Sequence, residues 1–478
     1  MCGIILFSGP EAPARLPDCL NRLSHRGPDD QNTWTDNDIA LGFVRLIING
    51  DKTVGRQPHK HDDLICAING EIYNHQELRQ KHGLPSSVSD TEILLPLFAR
   101  TGHCIIDELD GFYSALILQR HCREALCLRD HMGKKPLFVG RSASEIFITS
   151  EMKVIDECEW FKLLPRGASK VDLDTGNFEP VAAHRPVEVE QNLAVAFEQA
   201  VFKRMPKSDQ PVGIFLSGGL DSSLIAAFAS RLRSDVTYFT LGNQESADLH
   251  AVDAVVDALK LVDVRFVPLP EPATLPVLLK AVVHATESFN PSIVSNGLAT
   301  FLLAQAANEA GIKVVLTGEG ADELFGGYHS FTEQDPWFDV RGQLIDDLQY
   351  TELRRLDMSC MAHSIEPRCP FLDRSVRAIS DELVFCELYD GGENKVALRR
   401  SFNKMLPPEI LRRKKISFDV GSGIRAQVVR YLQRNAKSER EELQHIWSEL
   451  FSFDCSASYF HAYPTFDSAI DQRGVFHR

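Results

Sequence analysis

Cys2 stands where its side chain can gain an unusual reactivity. A small residue in the second position normally lets the initiator Met1 be removed, so the mature chain would begin with a thiol and a free α-amine on one residue. An α-amine has a pKa of about 8, which allows it to act as the base that activates its own side chain. The position of Cys2 therefore predicts a nucleophile at the start of the chain.

A second candidate site is the loop at residues 217–223, with the sequence SGGLDSS, which follows a predicted strand and begins a predicted helix. Glycines let a backbone approach an anion closely, and the N–H groups at a helix start attract negative charge. The serines add hydroxyl donors, and Asp221 offers a carboxylate for a magnesium ion that would neutralise phosphates. Because the chain contains no G-x-x-x-x-G-K-[ST] sequence, this phosphate loop is not of the Walker type.

The composition is that of a globular chain. Its 478 residues include 51 Lys and Arg against 66 Asp and Glu, which gives a formal charge of −15, and 44% are hydrophobic. This length predicts about two to four domains, and the acidic balance disfavours nucleic acid as a partner. No apolar run approaches the ~18 residues that span a bilayer, and the N-terminus has no secretory signal. We therefore expect no membrane partner and no export.

The cysteines give a consistent indication. The chain has 11 of them, scattered from Cys2 to Cys455, and no two have the Cys-x-x-Cys spacing. An odd number without a regular framework is typical of reduced thiols and not of disulfides or structural zinc. We therefore expect a cytoplasmic protein.

The first candidate site lies in a half of the chain that predicts short strands and turns. The predicted strands are 64–68, 115–118, 124–128 and 145–149, and the first of them meets Asn69-Gly70, a pair typical of tight turns. Only residues 17–23 and 85–98 have a helical pattern. A strand-rich half with two helices predicts an α+β layered sandwich.

After a polar, proline-containing stretch at 180–186, strands and helices alternate. Largely apolar strands that alternate with helices predict a doubly wound α/β domain, with a parallel sheet covered on both faces. From about Tyr350 onward the pattern is mostly helical and predicts no topology. The predicted strands are 212–216, 236–240, 264–267 and 312–316, and the predicted helices are 187–205, 222–232, 251–261, 273–286 and 297–310.

Several motifs accompany Cys2 in the first half. They are RGPDD at 26–30, RL at 45–46, NGEIYN at 69–74 and SDTE at 89–92. Together with the start Met1-Cys2-Gly3-Ile4 they resemble the glutaminase domain of class II glutamine amidotransferases. The resemblance extends to residues 129–137 and 150–153 and implies a glutaminase domain at 2–180, with the αββα sandwich of the N-terminal nucleophile fold.

By this resemblance Cys2 is the nucleophile that attacks the side-chain amide of glutamine. Asn69 and the backbone amide of Gly70 would form the oxyanion hole, where a correctly aimed donor stabilises the transition state by about 3–4 kcal/mol. The simpler alternative for Asn69-Gly70 is a hairpin turn.

The same resemblance implies a pocket for the α-carboxylate and α-ammonium groups of glutamine. Arg45 would bind the carboxylate, although a surface position is the simpler alternative for a lone arginine. Asp90 and Glu71 would bind the ammonium group. The other implied glutamine-binding residues are Leu46, Ile48, Asn69 and Gly70.

The loop at 217–223 resembles the pyrophosphate loop of ATP pyrophosphatases, which attack ATP at the α-phosphate and release pyrophosphate. The segment TGEGADELFGGY at 317–328 resembles the second signature of the asparagine synthetase family. These resemblances imply that Asp221 and Asp322 bind Mg²⁺ and that Glu319 lies near the activated carboxyl group. The residues that would surround ATP are Phe215, Ser217, Gly218, Gly219, Asp221, Ser222, Ser223, Leu241, Thr317 and Gly318.

Two later segments extend the match to a synthetase domain at 187–478. SIEPRCPFLD at 364–373 resembles a family element, and RRKKISF at 412–418 places Lys415 where the family has a lysine that stabilises charge on the ATP α-phosphate. Four consecutive basic residues alone would predict a solvated face. Because the other motifs of the family are also present, Lys415 becomes a candidate catalytic residue. Residues 456–478 resemble no known element.

The two implied activities complement each other. Cleavage of glutamine would release ammonia, and adenylation would turn a carboxylate into an electrophile because AMP leaves far more readily than oxide. A sheltered passage would deliver ammonia unprotonated and at high effective concentration. The resemblance therefore implies a carbon–nitrogen ligase that uses glutamine, ATP and Mg²⁺, with aspartate as the leading acceptor and a homodimer by analogy.

One departure leaves alternatives open. Where the bacterial type carries an arginine-containing acceptor segment, this chain has NPSIVSN at 290–296, with no cation to pair the second carboxylate of aspartate. A carboxylate in a secondary metabolite or a sugar acid is therefore an alternative acceptor. A β-lactam-forming relative fits less well because such proteins need no glutaminase. A non-catalytic, nucleotide-binding descendant fits less well because the candidate reactive residues are all present.

Overall fold

A computed structural model describes residues 2–143, 145–207, 209–328, 337–435, 438–454 and 458–461. Met1 and, apart from 458–461, the stretch 456–478 lie outside these residues. The chain divides into two compact units, Met1–Arg185 with Phe451–Phe453, and Pro186–Leu450 with Asp454–Arg478. Within the described residues, no helix has the length and apolar character needed to cross a membrane.

The first unit contains two antiparallel sheets of six strands each, in the orders β10-β8-β9-β1-β3-β2 and β12-β11-β7-β6-β5-β4. The strands are β1 (Cys2–Ser8), β2 (Asp30–Asp36), β3 (Ile39–Arg45), β4 (His59–His61), β5 (Leu64–Ile72), β6 (Gly111–Gln119), β7 (Glu124–Arg129), β8 (Phe138–Ser142), β9 (Glu145–Thr149), β10 (Trp160–Leu163), β11 (Gly167–Asp172) and β12 (Phe178–Ala182). The helices are α1 (Ala12–Leu23), α2 (His75–Lys81), α3 (Leu94–Thr101) and α4 (Ile105–Glu108).

The two-residue period of the strands builds four layers. Ile4 and Leu6 of β1 share one core with Ile65 and Ala67 of β5, so this core lies between the two sheets. The alternate residues of β5 face a second core that includes residues of α3. On the other sheet, α1 packs so closely that a Cβ on Gly42 would lie 2.7 Å from a methyl group of Leu20. The predicted αββα sandwich is confirmed.

Three local predictions in this unit are wrong. Asn69-Gly70 is not a turn, because β5 continues to Ile72 and pairs with β6 throughout. The predicted helix at 85–98 begins only at Leu94, after a 3₁₀ turn at Thr91–Ile93. The predicted helix at 17–23 begins at Ala12, because buried positions at helical spacing already start there and Pro17 is accommodated inside the helix.

The second unit is built on a five-stranded parallel sheet in the order β15-β14-β13-β16-β17, which confirms the predicted doubly wound domain. A short hairpin of β18 (Tyr389–Asp390) and β19 (Glu393–Asn394) lies outside it. The sheet strands are β13 (Val212–Phe215), β14 (Val236–Leu241), β15 (Asp263–Val267), β16 (Val314–Leu316) and β17 (Glu366–Arg368). The helices are α5 (Leu193–Arg204), α6 (Leu220–Leu232), α7 (Ala247–Leu259), α8 (Leu275–Thr286), α9 (Pro291–Glu309), α10 (Ala321–Phe325), α11 (Trp337–Asp347), α12 (Glu352–Met361), α13 (Arg374–Asp381), α14 (Phe385–Leu388), α15 (Val396–Ser401), α16 (Pro408–Leu411), α17 (Phe418–Gly421), α18 (Ile424–Leu432), α19 (Glu439–Ser448) and α20 (Ser458–His461).

Three predictions in this unit needed correction. The helix predicted at 297–310 begins at Pro291, where the side chain of Asn290 caps it. The helix predicted from residue 187 begins at Leu193, where the side chain of Asn192 accepts a hydrogen bond from the Val195 amide and caps the helix. The edge strand β17 lies in the region that predicted mostly helix. It carries a buried ion pair between Glu366 and Arg368, 2.6 Å apart, so its pattern is too polar to predict a strand.

Glu151 lies at the centre of a buried charge cluster beside Cys2. Its carboxylate lies 2.6 Å from Arg26 Nη1, 2.9 Å from His25 Nε2 and 2.8 Å from Lys153 Nζ. Burial alone would raise the pKa of Glu151, but the charges of Lys153, His25 and Arg26 hold that pKa well below its usual range. Because Arg26 Nε donates to the Cys2 carbonyl at 2.9 Å, the cluster also holds the backbone of Cys2.

We expect Glu151→Gln to lower the free energy of unfolding of the first unit by about 3–5 kcal/mol, because it leaves buried cations without a counter-charge. A depressed carboxyl pKa stabilises the fold above the unfolded pKa of about 4.3, and this contribution is lost as the pH falls towards the folded value. The difference from the wild type should therefore shrink below about pH 4.3. The free energy of unfolding of the first unit is measured for both proteins by urea-dependent hydrogen exchange of the β1 and β5 amides. An equal effect from exposed Glu159→Gln would contradict the cluster's role.

Candidate active sites

Strand geometry brings Cys2 and Asn69 together in the first unit. Cys2 and Asn69 occupy the positions of β1 and β5 that face the core between the sheets, and the Cys2 nitrogen donates to Asn69 Oδ1 at 3.1 Å. Both side chains are buried. Since Oδ1 is engaged, the Nδ2 amide remains as a donor, and it is buried with no hydrogen-bond partner among the described residues. Such a donor can stabilise an oxyanion.

Gly70 must be glycine for a steric reason. Its φ is +150°, and a Cβ there would lie 2.1 Å from the Phe112 carbonyl oxygen and 2.5 Å from the Tyr113 Cα. The Asn69-Gly70 pair therefore fits a strand that passes close to its neighbour β6. This explains why a sequence typical of a turn occurs inside a strand.

Arg45 is the register partner of Cys2 on the neighbouring strand β3 and is buried. Its Nη1 donates to the Asp51 carbonyl at 2.7 Å, and its Nη2 donates to the carbonyls of Asn49 and Val54 at 3.0 and 2.8 Å. The guanidinium group thus fixes the loop that follows β3 beside the Cys2 strand. A surface position for Arg45 is excluded.

Of the two predicted acidic residues, Glu71 contacts the same loop and Asp90 contacts the end of β5. Glu71 Oε1 accepts from Asn49 Nδ2 at 2.7 Å, and buried Asp90 accepts from the Ile72 amide at 3.0 Å. Leu46 and Ile48 are buried. The sequence did not single out Asn49 or Glu92, whose carboxylate accepts from the Gly55 amide at 2.8 Å. The inclusion of Glu92 in the SDTE motif was the available signal.

In the second unit, both phosphate-type loops follow the carboxyl ends of neighbouring strands. The SGGLDSS loop follows β13 and the TGEG segment follows β16, and the strand order reverses between them. Ligands of doubly wound sheets bind at such a switch point. An open cavity lies there. Its lining residues are Phe215, Ser217, Asp221, Ser222, Thr300, Thr317, Gly318, Glu319, Asp322, Leu356, Lys415 and Phe418.

The other predicted nucleotide residues lie around this cavity without lining it. Gly219 lines a second cavity, together with the cations Lys395, Arg399, Arg413, Lys414 and Lys415. Gly218 has φ +67°, and a Cβ there would lie 2.7 Å from the backbone of α7. Leu241 and Ser223 are fully buried.

Two lysines neutralise the paired carboxylates of the cavity. Lys415 Nζ lies 2.5 Å from Asp322, and Lys395 Nζ lies 2.6 Å from both Asp221 and Asp322. Burial would raise the pKa of Asp322, but Lys395 and Lys415 outweigh it and hold that pKa at about 2. The carboxylates of Asp322 and Asp221 in turn raise the pKa of Lys415, against the effect of burial. The predicted residues Asp221, Asp322 and Lys415 thus form one charge cluster.

Lys395 and Arg355 are candidate functional residues that the sequence did not reveal. Buried Arg355 donates to Glu319 at 2.7 Å, to Glu352 at 2.9 Å and to the Thr300 hydroxyl at 2.7 Å, so it holds Glu319 at the cavity wall. The cavity residues that they contact, Asp221 for Lys395 and Glu319 for Arg355, lie 174 and 36 residues away, and neither Lys395 nor Arg355 lies in a distinctive motif.

The segment 290–296 forms the start of α9, with Asn290 as its cap. Its buried Ser295 donates to Asp419 at 2.7 Å. A cation from α12 contacts α9 about one turn after Asn296, because Arg355 donates to the Thr300 hydroxyl. The SIEPRCPFLD segment is structural: besides the Glu366–Arg368 pair, its Asp373 caps α13 and pairs with Arg204 at 2.7 Å.

Comparison with known proteins accounts for both units. The family model described as glutamine amidotransferase domain matches residues 1–173, and the one described as asparagine synthase matches residues 192–348 and 343–452. Asparagine synthetase [glutamine-hydrolyzing] 1 of Lotus japonicus is 32% identical over 464 residues, which cover 88% of this chain and 78% of that protein. The root asparagine synthetase [glutamine-hydrolyzing] of Pisum sativum is 31% identical over 467 residues, which cover 88% and 79%. The chain therefore belongs to the family of glutamine-hydrolysing asparagine synthetases.

Proposed function

We propose that this protein converts aspartate into asparagine, with glutamine as the nitrogen donor and ATP as the activating substrate. The glutaminase reaction is assigned to residues 2–180 and the synthetase reaction to residues 187–478. The observation that carries the proposal is the buried Asn69 amide beside Cys2, because it provides an oxyanion donor next to a nucleophile in a chain that also has the synthetase signatures.

In the glutaminase reaction the thiolate of Cys2 attacks the amide carbon of glutamine. Once Met1 is removed, the Cys2 nitrogen becomes an α-amine that can take the thiol proton and pass it to the leaving ammonia. Asn69 Nδ2 and the Gly70 amide stabilise the negative charge on the substrate oxygen. Water then hydrolyses the thioester and releases glutamate. The bond from the Cys2 nitrogen to Asn69 Oδ1 supports this geometry, because it turns Nδ2 away from the nitrogen.

We assign the binding of the glutamine backbone groups to residues around the loop after β3. Arg45 is the cation for the α-carboxylate, and Asp90 and Glu71 are the anions for the α-ammonium group. Their support is the shared loop: Arg45 bonds to its carbonyls, and Glu71 bonds to its Asn49.

In the synthetase reaction the side-chain carboxylate of aspartate attacks the α-phosphorus of ATP, which forms β-aspartyl-AMP and releases pyrophosphate. Lys415 stabilises the charge that develops on the α-phosphate. Ammonia then attacks the acyl carbon and AMP leaves. In sum, glutamine, water, ATP and aspartate become glutamate, asparagine, AMP and pyrophosphate. The cations of the second cavity, next to the SGGLDSS loop, suit the pyrophosphate.

Mg²⁺ fits the cluster formed by Asp221, Asp322 and their two lysines. Asp221 and Asp322 offer hard oxygen ligands, and Mg²⁺ is commonly held by one or two carboxylates together with substrate phosphates. A side chain at position 327 would collide with one of these carboxylates, since a Cβ on Gly327 would lie 1.9 Å from Asp322 Oδ1. When bound with ATP, the ion would neutralise negative charge on the phosphates.

The acceptor can be tested directly. With ammonia, ATP and Mg²⁺, we expect pyrophosphate release to depend on aspartate, and asparagine to form in equal amount. Glutamate, succinate and galacturonate serve as comparison carboxylates. If aspartate were inert while another carboxylate released pyrophosphate, aspartate would be the wrong acceptor, although the adenylating chemistry would stand.

We expect Cys2→Ala to abolish glutamine-dependent synthesis and to leave ammonia-dependent synthesis intact, because only the first reaction needs the thiol. Cys66→Ala is the matched control: Cys66 is buried on β5, and burial raises the pKa of its thiol, so it remains an inert packing residue. The two rates are measured as asparagine formed from glutamine or from ammonia. Glutamine-dependent turnover in Cys2→Ala would refute the nucleophile assignment.

We expect Lys415→Met to lower ammonia-dependent pyrophosphate release by about 10²-fold or more, by analogy with the loss of an electrostatic transition-state contact. Glutamine hydrolysis should persist, because it uses other residues. Lys280→Met is the control, since Lys280 forms an exposed ion pair with Glu449 at 3.2 Å in the same unit. Equal losses in both variants would argue against a role for Lys415 in adenylation.

A further inference from the structure

The ammonium group of Lys395 lies between the two carboxylates assigned to Mg²⁺. Nζ lies 2.7 and 2.6 Å from the two oxygens of Asp221, and 2.6 Å from Asp322 Oδ1. The side chain of Lys395 is only 3% exposed. It therefore occupies the region in which an ion bridging the two carboxylates would bind.

The backbone holds this lysine in place. Lys395 has φ +53°, a left-handed conformation that residues with a Cβ seldom adopt, and it stands directly before α15. The neighbouring Asn394 donates to the Gly327 carbonyl at 2.7 Å, and a Cβ on Gly327 would lie 2.4 Å from Lys395 Cε. Strained backbone retained at a reactive centre is a recurrent feature of functional positions.

Charge and ligand number both favour the lysine over a metal ion when no nucleotide is bound. The two carboxylates carry about two negative charges, which Lys395 and Lys415 already balance. Among the described residues, no group of three or more His, Cys, Asp and Glu side chains could hold a metal. A triphosphate would add about four negative charges and further oxygen ligands, so that both a divalent ion and Lys395 could then be accommodated.

We propose that Lys395 excludes divalent metal from the Asp221–Asp322 pair until the nucleotide arrives, so that metal and ATP enter the site only together. This inference rests on the proposed function only in assigning that pair to metal bound with ATP. Lys395 thereby prevents a metal ion from binding tightly to the two carboxylates before the nucleotide binds. When ATP binds, the released ammonium group pairs with phosphate oxygens.

Mn²⁺ binding to the full-length protein tests this without any turnover. Mn²⁺ that stays with the protein after ultrafiltration is released by acid and counted by its electron paramagnetic resonance signal, so that the Mn²⁺–nucleotide complex in solution is not counted as bound. Glutamine, ammonia and aspartate are left out. We expect the wild type to bind Mn²⁺ at this pair only when α,β-methylene-ATP, which cannot release pyrophosphate, is present. Without nucleotide, Lys395→Met should bind one Mn²⁺ about tenfold or more tighter than the wild type, and adding Asp322→Asn should remove that gain.

Two single variants test whether the position of Lys395 between Asp221 and Asp322 matters, as distinct from a general change of charge or of folding. Lys415→Met removes the same charge from Asp322 but leaves Lys395 between the two carboxylates, so its gain in Mn²⁺ binding without nucleotide should be clearly smaller than that of Lys395→Met. Lys260→Met changes an exposed lysine with a similar left-handed backbone, φ +54°, and should behave as the wild type.

The outcomes distinguish this inference from the proposed function. Nucleotide-free Mn²⁺ binding by the wild type, as tight as that of Lys395→Met, would overturn the exclusion, and this measurement needs no variant to fold. A gain in Lys415→Met equal to that in Lys395→Met would overturn the specific role of Lys395 between the two carboxylates. If the wild type bound Mn²⁺ with nucleotide but Lys395→Met gained nothing without it, only this inference would fail. If no Mn²⁺ bound even with nucleotide, the metal assignment would fail as well.

Discussion

A buried charge must be satisfied by an opposite charge or by hydrogen bonds, and paired buried charges organise the candidate reactive centre of each unit. In the first unit, Arg26 and Lys153 share the carboxylate of Glu151, and Arg26 in turn holds the Cys2 carbonyl. In the second, Lys395 joins Asp221 to Asp322. Each cluster ties together segments that lie far apart in sequence. Leaving one charge of such a cluster unpaired would cost free energy of folding, and this cost therefore holds both the candidate reactive groups and the surrounding fold in position.

The two folds place reactive groups by different geometric rules. In the sandwich, the two-residue period of β1 and β5 sends Cys2 and Asn69 to the same interior, where they meet. In the parallel sheet, loops collect at the carboxyl ends of the strands, so that Asp221 and Asp322 begin neighbouring helices at one switch point. The same chain thus builds one centre from strand faces and the other from loop ends.

Much of this could be predicted from the sequence, because local patterns carry it. Apolar alternation gave most strands, and the alternation of strands with helices gave the parallel sheet. The errors arose where tertiary contacts override local preference. Asn69-Gly70 has the composition of a turn but lies in a strand against Tyr113, and β17 is polar because its charges pair within the buried sheet. Lys395 could not be found locally, because its partner Asp221 is 174 residues away.

The motifs that resemble the family contain candidate reactive residues and residues that only hold the fold together. The second kind also tells whether the fold around a site is intact. Buried Asp130 accepts hydrogen bonds from the amides of Met132 and Lys134 and so fixes a turn after β7. Asp373 holds α13 to the end of α5 through Arg204. Neither carboxylate lines the cavity at the switch point of the second unit. Such residues are demanded by the fold because a buried carboxylate must be satisfied. Their presence therefore indicates an intact frame for the candidate reactive residues Cys2 and Lys415.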